Sequence, residues 1–175
     1  MATPDSSSIS PIDIGRILAG SLDHSSKIGQ ISEKERSILS DAKIPIELYR
    51  RERLLLAGFA IDFAIVTFLK KSDVGKQVRG DYLETWSTIG QQDAAGAALY
   101  QLFVQRCSEY AMAVWALEAG KINTIGLTFL SFLASDNSRA MSLALTYAPC
   151  VYFTHFETAK QLLRSARLIK PRAHF

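Results

Sequence analysis

The stretch PIELYRRERLLLAGFAIDFAIVTFLKK, residues 45–71, decides how this chain folds. Pro45 suits a first helical turn, where a backbone N–H would go unpaired, and Lys70 and Lys71 close the segment with charge that favours a helix C-terminus. Between them, Leu54, Ile61, Ile65 and Phe68 line one side, and Leu55, Phe59, Val66 and Leu69 another. A third side carries Ala57, Ala60, Ala64 and Thr67, small enough to let a second backbone approach. A helix apolar around most of its circumference is enclosed by other helices or by lipid.

Length and charge argue against lipid. Leu54 to Leu69 spans 16 residues, roughly 24 Å of helix against about 30 Å of hydrocarbon. Asp62 in its middle costs about 3 kcal/mol on insertion, and both flanks are basic, so no orientation is favoured. The expectation is the central helix of a bundle, with membrane association as a third-ranked alternative.

The rest of the chain reads as helices around that one. Residues 1–9 are expected to form a flexible tail, and 10–175 a single all-α domain. Ser10, Pro11 and Asp13 open a short helix to about Leu22. Ser32 and Glu35 form a capping box for a second through Ala42. Ser72 or Asp73 caps a helix carrying Val74, Val78, Tyr82, Trp86 and Ile89, weakened by Gly75 and Gly80 and expected to break near Thr88 to Gln92. From Asp93 to Ala119, Tyr100, Phe103, Cys107, Tyr110, Val114 and Leu117 alternate steps of three and four, a seam for a partner helix, and Gly120 ends it. Ile125, Phe129, Phe132 and Leu133 mark a further helix whose hydroxyl side, Thr124, Thr128, Ser131 and Ser135, can satisfy itself on the preceding turn. The last segment runs from Ser138, is kinked or restarted at Pro149, and reaches about Lys170. No hairpin signal or fixed-period repeat occurs. The fold expected is all-α, a bundle of six to eight helices with a central buried helix near 45–71.

Composition is ordinary. The 175 residues are 48% hydrophobic and 21% charged, with a net charge of +3, too small to argue for nucleic acid. Cys107 and Cys150 form no ligand spacing and read as two buried thiols in a reducing compartment. The opening MATPDSSSIS has neither a basic nor an apolar signal region, so a cytoplasmic address is expected.

Chemistry has few places to sit. Asp62, among Phe59, Phe63 and Val66, must find a cation or donors or stay neutral. Arg79 and Arg106 are the candidate cations, with Tyr82 and Tyr110 as neutral donors. The group is a structural clasp or the base of a ligand pocket. A carboxylate-bridged metal site needs Glu-x-x-His pairs, and none precedes His24, His155 or His174, so no metal or cofactor is expected. There is no G-x-S-x-G, P-loop or G-x-G-x-x-G, and Cys150 and His155 lie five apart, on different helix faces, so no catalytic residue is assigned. Arg79-Gly80-Asp81 matches a three-letter adhesion signal too short to carry weight. Lys160, Arg164, Arg167 and Lys170 form a basic face, with Phe153 and Phe156 read on the opposite, core side.

The leading expectation is a non-enzymatic protein-interaction or regulatory module that binds a protein partner or itself, as a homodimer. The alternative is a small-molecule binder or enzyme with an interhelical pocket around Asp62.

Overall fold

The computed structural model describes residues 10–24, 30–166 and 168. Among them the chain is all-α, with seven helices: α1 Pro11–His24, α2 Glu33–Asp41, α3 Ile46–Leu69, α4 Asp73–Gln92, α5 Ala94–Glu118, α6 Thr124–Phe132 and α7 Ser138–Ser165. The central helix α3 packs on α1, α4, α5, α6 and α7, most extensively on α7. Both of those helices are rich in buried alanines: Ala57, Ala60 and Ala64 on α3, and Ala140, Ala144, Ala148 and Ala159 on α7. Small side chains allow close helix approach with little loss of contact.

Local signals set most boundaries. Ser10 Oγ accepts from the Asp13 amide at 3.3 Å and opens α1. The capping box of α2 closes in both directions, with Ser32 N–H donating to Glu35 at 2.8 Å and Glu35 N–H to Ser32 Oγ at 3.2 Å. Ser72 caps α4 through the Gly75 amide at 3.0 Å. Gly120, at φ +85°, ends α5 with paired amide returns from Gly120 to Leu117 and from Lys121 to Ala116.

Three expectations change and a fourth, at Pro149, is narrowed. Pro45 is the N-cap of α3 rather than part of its first turn, because the left-handed Lys43, φ 55°, ends α2 and delivers the chain at that angle. The break expected at Thr88 to Gln92 lies at Asp93 instead. There α4 persists to Gln92, and Asp93, fully extended, caps α5 through Gly96 N–H at 2.7 Å. Of the two outcomes expected at Pro149, a restart is excluded: α7 continues through the proline, and α3 and α6 packed along it outweigh the lost N–H. The last helix ends at Ser165, short of Lys170.

Gly58 joins three helices. The rings of Trp86 on α4 and Phe103 on α5 stack at 4.1 Å and lie on its backbone, where a Cβ would stand 2.6 Å from Trp86. Tyr82 donates to the Gly58 carbonyl at 2.8 Å.

Candidate functional site

Among the described residues three buried acids are paired with arginines, and each of these pairs has one member on α3. Near its start, Arg53 meets Glu35 of α2 at 3.2 Å, and Tyr49 donates to the same carboxylate at 3.0 Å. The residue just before Arg53, Glu52, points to another side of the helix and accepts from Arg106 of α5 at 2.9 and 3.4 Å. In its second half, Asp62 accepts a two-pronged contact from Arg79 of α4 at 2.7 and 3.0 Å. These pairs tie the central helix to three neighbours and prescribe its rotation against each, since an arginine fork and a carboxylate match in only a few geometries.

The pairs differ in enclosure. Glu52 is fully buried and Arg106 nearly so, with Glu109 accepting from the other side at 3.1 Å and the Phe132 ring 3.5 Å below the guanidinium. Arg79 is 46% exposed although Asp62 is buried. Burial would raise the Glu35 carboxyl, but hydrogen bonds from the Ser32 amide and hydroxyl and from Tyr49, with the Arg53 charge, outweigh it and hold the group below its ordinary value. Burial and the Asp62 charge push the Cys107 thiol up to about 12, while Arg79 opposes them.

The residues grouped around Asp62 from sequence therefore separate. Arg79 reaches it. Arg106 is engaged by Glu52, Tyr82 hydrogen-bonds the α3 backbone, and the Tyr110 hydroxyl is buried without a hydrogen-bond partner among the described residues, its ring stacked on Phe59 at 5.6 Å. The Arg79-Gly80-Asp81 triplet is helical, with Arg79 committed to Asp62 and Asp81 packed by α1 at Gly15.

The basic face is thinner than its spacing implied. Lys160 is paired with Glu157 and lies 5.7 Å from the Phe68 ring, and Arg164 is exposed. Arg167 and Lys170 lie outside the described residues. Phe153 is 49% exposed, a correction to its core-side placement, whereas Phe156 packs on Tyr152 and Phe68.

Sequence reasoning missed Glu52 as a buried acid and missed the surface beside it. Tyr49, Glu52, Leu56 and Phe59 step by three, four and three, so Glu52 lies on an apolar track, a signal masked by the charged run Arg50-Arg51-Glu52-Arg53. Between α5 and α6 runs an open groove of about 490 Å³, lined among others by Glu109, Met112, Ala116, Lys121, Leu127 and Phe132. Large apolar side chains stand exposed on and beside it: Met112 (57%), Trp115 (62%), Ile122 (78%) and Leu127 (48%). Glu109 and Phe132, which line the groove, also hold Arg106, so this surface adjoins the Glu52–Arg106 pair. A second, smaller and more enclosed cavity of about 40 Å³ is mostly apolar, lined by residues such as Leu54, Trp86 and Leu99. Asp62 lines neither.

Among the described residues no cluster of His, Cys, Asp and Glu could hold a metal, and no helix is long and apolar enough to cross a membrane. Comparison with models of known protein families, with curated proteins and with solved structures finds no match to any of them.

Proposed function

We propose that this chain is a non-enzymatic helical interaction or regulatory module whose docking surface is the outer side of α5 with the groove beside α6. One observation carries this: four large apolar side chains, Met112, Trp115, Ile122 and Leu127, stand in water within one short span of chain. Scattered singly, such residues need no explanation, but grouped around a groove they are what a protein interface uses. A cytoplasmic address belongs to the same proposal, supported by the free thiols of Cys107 and Cys150.

A ligand pocket around Asp62 has less support, because both carboxylate oxygens already accept from Arg79. A photo-cross-linking amino acid placed at position 115 or 127 in cells tests the preferred function. It should trap a protein, whether another chain or a second copy. Failure at both positions, while the protein remains folded, would overturn it.

A further inference from the structure

The outer face of α5 carries a second periodicity besides its buried seam. Ala94, Ala98, Gln101, Gln105, Ser108, Met112 and Trp115 step by four, three, four, three, four and three, and all seven are exposed. That is the spacing of a seam along which another helix lies. Solvated helix faces carry Lys, Glu, Asp or Arg, yet this stripe has none. From Ala94 to Leu117 the charged residues are Arg106, which is buried, and Glu109, which is paired with it. Charge depletion with exposed Trp and Met marks the centre of a protein interface.

The stripe is graded along its length. Its first turns are alanines and its last are Met112 and Trp115, with Gln105 and Ser108 in between. An antiparallel copy turned about a two-fold axis between Gln105 and Ser108 sets Trp115 against Ala98, Met112 against Gln101, and Gln105 against Ser108. Large then meets small at both ends. A parallel copy would stack Trp115 on Trp115 and leave alanines facing alanines.

Charge selects the same direction. Glu118 lies in the last turn of its own helix, the unfavourable end of the dipole, and an antiparallel copy brings it to the N-terminal turn of the other α5, where negative charge is favoured. The same register brings Lys121 toward the other copy's Asp93. In the parallel arrangement Glu118 faces Glu118 and Asp93 faces Asp93. Between Ala94 and Leu117 the one basic residue is the buried Arg106, whereas an interfacial helix presents several exposed Lys or Arg to a lipid surface.

Size is adequate. The 25 residues of α5 run about 37 Å at 1.5 Å per residue. A stable interface of about 800 Å² per partner is roughly 30 Å across. The shoulder of α6, with Leu127, widens the strip, and the groove beside Met112 can receive the alanine turns of the other copy.

We propose that a second copy of this chain docks antiparallel along the stripe Ala94–Trp115, forming a two-fold homodimer in which Trp115 and Met112 of each copy cover Ala98 and Gln101 of the other. This identifies the partner for the surface under Proposed function and rests on it.

Light scattering across a concentration series, with site-directed cross-linking of the full chain in a Cys150→Ser background, tests it. The wild type should pass from monomer to dimer as concentration rises. Ser108→Cys should cross-link with a short bismaleimide. Glu118→Cys should not, because the two thiols would lie roughly 34 Å apart along the axis. Trp115→Glu should weaken the dimer roughly 30-fold or more, because the two-fold axis removes an interface tryptophan from both copies at once, with an unchanged circular dichroism spectrum. Four results would overturn the proposal: a monomer at every concentration, cross-linking through Glu118→Cys, a dimer indifferent to Trp115→Glu, or a monomer whose Trp115-dependent binding is to phospholipid vesicles. A monomer whose position-115 probe still traps a different protein would sink the homodimer and leave the interaction function standing.

Discussion

Glu52 and Asp62 are acids of the same helix, each held by an arginine, yet their loss should not cost the same. Glu52→Gln leaves the buried Arg106 with Glu109 as its remaining carboxylate, and removing one partner of a buried pair costs about 3–5 kcal/mol. Asp62→Asn frees the half-exposed Arg79 to turn toward water, so the loss should be nearer that of a charged hydrogen bond, about 1.5–3 kcal/mol. Urea unfolding of both variants should rank Glu52→Gln as the more damaging. The reverse order would mean that Asp62, not Glu52, anchors the core. The Glu35 carboxyl, held below its ordinary value, binds its proton more readily unfolded than folded. Its contribution is present above the unfolded value, about 4.3, and is lost as pH falls through the lower folded value. The stability gap between wild type and Glu35→Gln should therefore be widest near neutral pH and close on acidification; a pH-independent gap would contradict the pairing. The thiols also differ. Cys107, half-buried and shifted to about 12, stays protonated at neutral pH, whereas Cys150, expected to be buried, is exposed on α7. Native protein should take up one equivalent of maleimide quickly at Cys150, and a second only on unfolding.

At the scale of helices, glycine marks where two elements touch. A Cβ at Gly58 would stand 2.6 Å from Trp86 and 3.0 Å from Phe103, both rings locked in a stack, whereas one at Gly80 meets nothing within 4 Å. Gly80→Ala should stabilise α4 by about 0.5–1 kcal/mol through propensity alone. Gly58→Ala should lose about 1–3 kcal/mol to overpacking, which outweighs the same gain. Thermal unfolding of the two variants should move in opposite directions. Helix ends were legible because their causes are local: the Ser32–Glu35 box, the Ser72 cap and Gly120 each act within a few residues. The fate of Pro149 was not, because whether a helix survives a proline depends on neighbours the local sequence does not name. The hydroxyl side of α6 divides in the same way. Ser131 donates to Thr128 one turn back at 2.7 Å, but Thr124 reaches across to the Ala113 carbonyl of α5 at 2.6 Å.

For the whole molecule, the proposed dimer links folding to concentration. Anything that binds only the native state raises its apparent stability. The wild-type melting temperature should climb with protein concentration, while that of Trp115→Glu should not, since an exposed side chain contributes little within one chain. A melting temperature indifferent to concentration in both would contradict self-association.

An all-α bundle around the helix at 45–71, its caps and its apolar seams were determined by the sequence alone, because hydrophobic period and capping are properties of neighbours along a chain. Asp62 was visible for the same reason, a single charge inside an apolar run. Only the tertiary structure decided that Arg79 and not Arg106 meets it, that Glu52 is the most deeply buried acid of α3, and that the outer stripe of α5 stays in water. Charge pairing and burial depend on which helix faces are brought together across tens of residues, Glu52 and Arg106 being 54 apart. A buried seam and an exposed one carry the same three-and-four spacing until the neighbouring helices choose between them.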